Sequence, residues 1–359
     1  MKRGLVVLDP EEIPETERRD RVAALQRAMS ADGLDVALIY GDVSRSDDIA
    51  YLTNLCIYWN EGILAVPAEG EPVFLTKLSP RVHPWMRLVS TVTEIHSGRN
   101  FGDLAAKFLG PGDGPGKDAP GTTVGLVDAG LWPAALAEEI RRALPGWDVR
   151  DTGDLGRSPR LVPSQHERAL LRRAGGLLAR TTDDAAVDGM TGSERIAAAE
   201  RGLRDAGFLD VLARTHDAPG GVTWLEVTGQ YRNLWLHASR LADATATAAW
   251  PAALRRALAT VTAAARSGMT AQRLAEAAAA DITGLPLGAA AGVRWVHQAD
   301  MATNGEYARY PADLPIPEGA VVVLAVEAVF PDGRHAAVAD TVAVGATGAE
   351  SLTSQETTR

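Results

Sequence analysis

The second half of the chain carries acids and histidines in settings that favour chemistry. Glu226 and Glu327 each lie within an apolar run. A carboxylate that folding removes from water needs a positive or hydrogen-bonding partner, so both are candidates to bind a cationic nitrogen or to orient a histidine. His216 and His237 are the candidate bases, because an imidazole exchanges protons near neutral pH. The alternative for each histidine is an ordinary surface or core position.

Aromatic and basic side chains close to these residues are candidates for substrate binding. They are Trp224, Trp235, Trp295, Tyr231 and Arg240. The tryptophans predict an aromatic pocket wall that suits a planar organic substrate, with plain core positions as the alternative. Arg240 can bind a substrate or pair with an acid of the protein.

The first part of the chain alternates helical and strand patterns. The sequence predicts helices over 17–32 and 134–144 and strands over 34–40, 63–66, 73–75 and 124–127. Alternating elements of this kind are typical of an α/β domain. Residues 153–163 are rich in glycine and proline and indicate a linker. We therefore expect one domain over 1–155 and a second over 156–359.

The second domain shows signs of an internal duplication. Ser164 and Glu167 have the spacing of a capping box that opens a long helix. The tripeptide Gly-Met-Thr begins at Gly189 and again at Gly268, 79 residues later, and each copy precedes an alanine-rich helical segment. We predict helices over 193–206 and 271–282 in two related halves.

Composition excludes several classes of function. The chain of 359 residues has 46% hydrophobic residues and a net charge of −10, which indicates a globular protein that repels nucleic acid and anionic lipid. Its one cysteine, Cys56, cannot form an intramolecular disulfide, and no apolar stretch approaches the ~20 residues that cross a bilayer. We expect a cytoplasmic protein without a nucleic-acid or membrane partner.

Four segments occur in an order that is familiar from one protein family. They are 33–40 (GLDVALIY), 49–54 (IAYLTN), 318–327 (EGAVVVLAVE) and 339–353 (ADTVAVGATGAESLT). The set resembles the motifs GLDALLI…YLTG, pGMvvtiE and EDTvlVt..G.e.LT of the creatinase and aminopeptidase P branch of the metallopeptidase family M24. This resemblance implies a creatinase N-terminal-like α/β domain and an α+β pita-bread C-terminal domain with an internal pseudo-twofold repeat.

The resemblance also suggests how the family's metal site has changed. Active members hold two divalent ions with two Asp, one His and two Glu. Glu226 and His237, eleven residues apart, take the two aspartate positions, Glu327 keeps one glutamate position, and Ala339 replaces the other. An alanine cannot ligate a metal, so the resemblance implies a degenerate site and we predict neither a metal pair nor another cofactor.

Two further positions follow from the resemblance alone. The histidine position of the family is left open between His216, in a segment similar to the family's H..P loop, and His297 or Arg294. The segment around Tyr58 resembles the loop that reaches the neighbouring subunit's pocket in the creatinase branch, which implies a homodimer with a shared site. We count His297 and Tyr58 among the expected substrate-binding residues.

These inferences lead to a predicted function and two alternatives. We expect a metal-independent enzyme that acts on a small nitrogen-containing molecule, by C–N bond hydrolysis or a related lyase or cyclisation reaction. His216, His237, Glu226 and Glu327 would be its catalytic residues. The alternatives are a non-catalytic binding protein of the same fold and a mononuclear metal-dependent Xaa-Pro-type peptidase.

Overall fold

The chain folds into two compact units. The computed structural model describes residues 7–58, 60–109, 122–153, 155–242, 249–283, 285, 289–301 and 310–354. The units comprise Met1–Arg160 and Leu161–Arg359, so the division lies inside the segment 153–163 that was predicted to be the linker. It follows the expected end of the first domain, residue 155, by five residues. Within the described residues no helix is long and apolar enough to span a membrane.

The N-terminal unit is a mixed sheet between two layers of helices. Its elements are α1 (Glu15–Ala31), β1 (Val36–Asp42), α2 (Asp47–Thr53), β2 (Glu61–Pro67), β3 (Val73–Thr76), α3 (His83–Val89), β4 (Glu94–Ser97), α4 (Phe101–Leu109), β5 (Thr123–Val127), α5 (Ala134–Ala143) and β6 (Asp148–Thr152). The strand order is β4-β3-β2-β1-β5-β6. Leu25 and Met29 of α1 pack in one core cluster, and Leu136 and Ile140 of α5 pack in another. This arrangement confirms the predicted α/β domain.

The C-terminal unit consists of two similar halves that share one sheet. The first half contains α6 (Gln165–Ala185), α7 (Gly192–Asp205), β7 (Asp210–Ala218), β8 (Val222–Tyr231) and β9 (Leu234–Ala242). The second contains α8 (Trp250–Ala264), α9 (Ala271–Ala277), α10 (Ala279–Ile282), β10 (Ala290–His297), β11 (Val321–Val329), β12 (His335–Val344) and β13 (Ala349–Ser351). The order β10-β11-β12-β9-β8-β7 is symmetric about the middle, with β13 on β12. The predicted pita-bread fold with an internal repeat is confirmed.

The repeated tripeptide serves the same purpose in each half. Gly189 and Gly268 both have positive φ angles, 85° and 79°, which glycine adopts without steric cost. Two residues later the side chains of Thr191 and Thr270 accept hydrogen bonds from backbone amides and cap helices α7 and α9. The repeat therefore marks the start of the equivalent helix in each copy.

Helices cover one face of the C-terminal sheet. Leu324 and Val326 of β11 pack in one cluster with Leu254 and Val261 of α8. Because side chains alternate along a strand, residue 325 points to the opposite face. We call this opposite face, which carries Glu226, the site face.

The two halves of the sheet meet at a narrow seam between β9 and β12. Ser239 and Ala339 form the single ladder pair between these strands in the described part of the chain. The Thr341 hydroxyl supplements this pair, because it donates to the His237 carbonyl at 2.8 Å and accepts from the His237 amide at 2.8 Å. A side chain thus supplies hydrogen bonds that a longer ladder would otherwise make.

Candidate active site

One residue from each of the six main strands of the C-terminal sheet forms a row across the site face. The register pairs these residues in sequence, and the row reads Arg214, Glu226, Ser239, Ala339, Ala325, Arg294. We call this the central row. The internal repeat relates the two halves of this row. Arg214 at one end corresponds to Arg294 at the other, and Glu226 of the first half corresponds to Ala325 of the second.

His216 and Glu226 form the most chemically capable pair on the site face. His216 Nε2 lies 4.0 Å from Glu226 Oε2, with the two side chains 32% and 11% exposed. This nitrogen is buried and has no hydrogen-bond partner among the described residues. The imidazole stacks on the Trp224 ring at a centroid distance of 4.2 Å, and the Trp224 indole donates to the His335 carbonyl at 3.0 Å. The ring is held in place, and its Nε2 is a buried polar atom whose hydrogen bond the described residues do not supply.

The environment of His216 favours its neutral form. Burial lowers the pKa of His216 below the usual value for histidine, and the charges of His335 and Arg214 lower it further, while Asp217 opposes them. The His335 ring lies 5.6 Å from the His216 ring, although its own position at the end of β12 is exposed. A neutral imidazole at physiological pH can accept a proton, which is the property required of a base.

His237 lies deeper in the sheet and has a different character. It is 2% exposed, and its Nδ1 lies 2.9 Å from the Thr228 hydroxyl oxygen. Burial lowers the pKa of His237 to about 3, and the nearby charges of Arg294 and Arg240 contribute. The imidazole therefore stays neutral near pH 7 and is too weak a base for general acid-base work there. Of the two candidate bases in the sequence, the geometry favours His216.

Glu327 occupies a different place from the one that the motif alignment gave it. The register sets Ala325, not Glu327, opposite Ala339, and Ala325 also stands six residues after Gly319, the spacing in the family motif. Glu327 is the next residue along the same face, opposite Ala337, and it forms an ion pair with Arg294. Its carboxylate therefore neutralises a guanidinium of the protein.

An apolar cluster lies on the site face between the His216–Glu226 pair and the Arg294–Glu327 ion pair. It comprises Trp235, Val296, Met301, Val323, Ala325 and Ala339, and each of them is at most 2% exposed. Trp235 is thus a packed core residue in a protein-lined environment. The cluster includes both alanines of the central row, so the middle of the row on the β12 and β11 side is hydrophobic.

Three residues expected to bind substrate have other partners. Trp295 and Tyr231 alternate away from the site face: Trp295 packs against Tyr310, and Tyr231 packs edge-on against Phe208. Arg240 also points to the helix-covered face, where it pairs with Asp183 of α6 and with Asp340. The prediction that these residues line the substrate site is therefore corrected. Successive side chains of a strand point to opposite faces, and these residues are one position out of phase with the site face.

His297 is a structural residue at the end of β10. Its Nε2 donates to the Leu161 carbonyl at 2.7 Å, and its Nδ1 accepts from the Ala299 amide at 3.0 Å. Both ring nitrogens are thereby occupied by backbone groups. The expected role of His297 in substrate binding is also corrected, and the residue that β10 contributes to the central row is Arg294.

Tyr58 belongs to the N-terminal unit. It is 43% exposed and contacts the Trp85 ring edge-on at a centroid distance of 5.5 Å.

The donor set of the site face does not fit a pair of metal ions. Alanines stand at two adjacent positions of the central row, His237 is sequestered against Thr228, and Glu327 is paired with Arg294. The described residues contain no cluster of three or more His, Cys, Asp or Glu side chains that could hold a metal. Bridging two cations requires several carboxylate oxygens in one place, and these residues do not supply them.

Sequence reasoning missed three residues of the site. Arg214 precedes His216 by two residues on β7, so strand alternation was a usable signal for placing both on one face. Arg294 was considered only as a replacement for a metal-binding histidine. His335 was left as a surface residue, and no local pattern connects it with His216, since 119 positions separate them.

Comparisons with known proteins agree with this architecture. Residues 21–162 match the creatinase/prolidase N-terminal domain. The structure is similar to an X-Pro aminopeptidase from Thermotoga maritima (TM-score 0.73, 17% identity, 93% of this chain and 97% of that one) and to an Xaa-Pro dipeptidase from Bacillus anthracis (0.71, 14%, 94% and 98%). A dipeptidase from Mycobacterium ulcerans is also similar (0.68, 19%, 97% and 97%). No curated protein matches in sequence.

Proposed function

We propose that this chain, which combines a creatinase/prolidase N-terminal domain with the fold of the Xaa-Pro peptidases, is a metal-independent enzyme for a small nitrogen-containing substrate. The reaction is hydrolysis of a C–N bond or a related lyase or cyclisation step. His216 and Glu226 act as the acid-base pair, and Arg214 and Arg294 bound the site at either end of the central row.

The observation that carries this proposal is the geometry of the His216–Glu226 pair. The two acceptor atoms are 4.0 Å apart, and the imidazole nitrogen has no hydrogen-bond partner within the described residues. A substrate NH₂ group about 2.9 Å from Glu226 Oε2 would donate a hydrogen to the carboxylate, and the lone pair of the neutral His216 imidazole would accept a hydrogen from the attacking water beside it. Neutral His216 can then take a proton from an attacking water and return it to the leaving nitrogen, while Glu226 stabilises the imidazolium between these steps.

The experiment measures turnover of two probe substrates, creatine and the dipeptide Ala-Pro, by mass spectrometry in excess EDTA. We expect turnover of at least one probe to persist in EDTA and to fall about 100-fold or more in His216→Gln and in Glu226→Gln. His166→Gln is the matched control, since His166 is an exposed histidine of α6. Turnover that disappears in EDTA and returns with added Mn²⁺ would refute the proposal in favour of metal-dependent peptidase chemistry.

A non-catalytic binding protein is the second candidate. The supporting observations are the ion pair between Arg294 and Glu327 and the buried apolar cluster around Ala325 and Ala339, which use the site face for packing. This function predicts that both probes bind, by calorimetry, with the same affinity before and after prolonged incubation, without any product.

A homodimer remains part of the proposal. Its support is the exposed Tyr58 beside Trp85 and the resemblance of this segment to the creatinase loop. Sedimentation should show a dimer for the natural chain and a weaker one for Tyr58→Ser. A monomer at every concentration would exclude the shared site.

A further inference from the structure

The N-terminal unit contains a cavity of ligand size. Its volume is about 370 Å³, within the range of about 300–1,000 Å³ typical of small-molecule pockets. Helix α1 forms one wall, the end of α2 forms the floor, and the segments 70–72 and 91–93 complete the rim. All of these residues belong to the N-terminal unit, so the cavity is formed without the residues of the candidate active site.

Hydrogen bonds hold the walls of this cavity in place. The Gln26 amide of α1 donates to the carbonyls of Pro67 and Gly70 at 3.0 and 2.9 Å, which fixes the turn that carries Glu71. On the other side, the Thr91 amide donates to the Thr53 carbonyl at 2.9 Å. A cavity whose rim is fixed in advance loses little conformational entropy when a ligand binds.

The lining of the cavity separates positive charge, negative charge and apolar surface. Arg18 is 5% exposed and donates to the Asn54 side-chain oxygen at 3.2 Å, so a guanidinium lies in the interior. Glu71 is exposed at the rim, where its charge reaches Arg19. The apolar part of the lining consists of Val22, Leu52, Pro72 and Val92.

We propose that this cavity binds a free α-amino acid with an apolar side chain. Its carboxylate meets the interior guanidinium of Arg18, because arginine recognises carboxylates through paired N–H donors. Its ammonium group lies at the rim near Glu71, and its side chain contacts Val22, Leu52 and Val92. The lining charges of Glu15, Arg18, Arg19 and Glu71 sum to zero, which suits a zwitterion better than an anion or a cation.

Calorimetry on the full chain tests this proposal with three probes. They are L-leucine, N-acetyl-L-leucine, which lacks the ammonium group, and 3-methylbutylamine, which lacks the carboxylate. We expect L-leucine to bind at one site and each of the other probes to bind at least about tenfold more weakly, since each loses a charge-assisted hydrogen bond. Equal binding of all three probes, or no binding of leucine, overturns the proposal.

Substitutions locate the binding site. Glu71→Gln and Arg18→Lys should each weaken leucine binding about tenfold, and Val22→Trp should abolish it by filling the cavity. Glu69→Gln and Arg27→Lys are the matched controls, because both residues are exposed, lie in the same turn and helix, and do not line the cavity. Leucine affinity that is unchanged in both Glu71→Gln and Val22→Trp would assign the binding elsewhere in the chain.

Discussion

The two histidines of the site face show how depth in a sheet sets the chemistry of one residue type. His216 lies near an edge strand with part of its ring exposed, whereas His237 lies beside the seam and is almost fully buried. Both have a lowered pKa, with burial as the leading cause. His216 Nε2 has no hydrogen-bond partner among the described residues, whereas His237 Nδ1 lies 2.9 Å from the Thr228 hydroxyl oxygen. The same imidazole is therefore a candidate base at one position and a hydrogen-bonded core group at the other.

His237 should make the folded state sensitive to acid. The unfolded chain protonates this histidine near its ordinary pKa of 6.5, whereas the folded chain does so only near 3. Its stabilising contribution is therefore complete above pH 6.5 and is lost as the pH falls towards 3, by up to about 1.4 kcal/mol per pH unit. Denaturant unfolding between pH 7 and 4 should show this slope.

The variant His237→Gln isolates this contribution. Glutamine can still hydrogen-bond to the Thr228 hydroxyl but does not titrate, so the dependence of unfolding free energy on pH should become shallower. His166→Gln, which removes an exposed histidine, should leave the slope unchanged. Identical slopes for the natural chain and His237→Gln would show that His237 is not held neutral.

Sequence reasoning at this scale identified residue types better than residue orientations. The resemblance assigned Glu226 and His237 to one site, and these two residues do share the site face on the hairpin β8–β9. Tyr231 and Arg240 lie on the same hairpin but point to the helices. The side-chain period of a strand is two residues, so a candidate that is one position out of phase is lost from the site completely.

Helix α6 contains two consecutive glycines, and at the first of them, Gly175, the backbone of another segment lies very close to the helix. A Cβ atom at Gly175 would lie 2.2 Å from the Leu352 carbonyl oxygen, which belongs to the backbone and cannot easily move. At Gly176 the nearest atom is the flexible end of Arg180, at 3.4 Å. The C-terminal segment around Leu352 therefore depends on the absence of a side chain at position 175.

Alanine substitutions at these two positions should have opposite effects. Gly175→Ala is expected to lower the free energy of unfolding by about 2–3 kcal/mol through overpacking. Gly176→Ala should raise it by about 0.5–1 kcal/mol, because alanine favours the helix more than glycine does. Urea unfolding measures both, and a Gly175→Ala protein as stable as the natural chain would contradict the close contact.

Helix starts were the elements that the sequence predicted best, and strand register was the hardest. The capping box of Ser164 and Glu167 is present as predicted, since a cap depends on residues that are close in sequence. The motif alignment placed β11 two residues out of register, because Val, Ala and Leu fill the segment between Gly319 and Glu327 and the only acid there is Glu327, although the spacing from Gly319 indicated Ala325. A shift of two residues there keeps the same face and leaves no mark in the pattern.

At the scale of the whole molecule, the order of elements was predictable and the way the halves join was not. The alternating N-terminal unit and the repeated C-terminal unit both follow from the patterns and motifs described above. The seam depends on contacts between strands that are about a hundred residues apart, Ser239 with Ala339 and His237 with Thr341. Such a pairing between distant residues cannot be predicted from local sequence patterns.

Thr341 should contribute strongly to the union of the two halves. In Thr341→Val the His237 amide and carbonyl lose their buried partner, so the free energy of unfolding should fall by about 1–3 kcal/mol. Thr341→Ser retains the hydroxyl and should stay within about 1 kcal/mol of the natural chain. Hydrogen exchange at the His237 amide should accelerate only in the valine variant, and unchanged protection there would rule out this role for the hydroxyl.

The two halves of the sheet are joined at β9 and β12 by one ladder pair, the Thr341 hydroxyl, the bond from the Ser239 hydroxyl to the Ala337 carbonyl, and the contacts of Arg240 with Ala339 and Asp340. The backbone ladder is shortest at this seam. Under mechanical load or partial denaturation, β9 and β12 should separate before the hairpin β8–β9 or the pair β11–β12, which are connected by many ladder bonds. Each copy would then expose one unpaired inner strand to the solvent. Two opened chains could exchange these strands and close again as an intertwined pair, which makes the junction between the copies the place where this fold is most open to domain swapping.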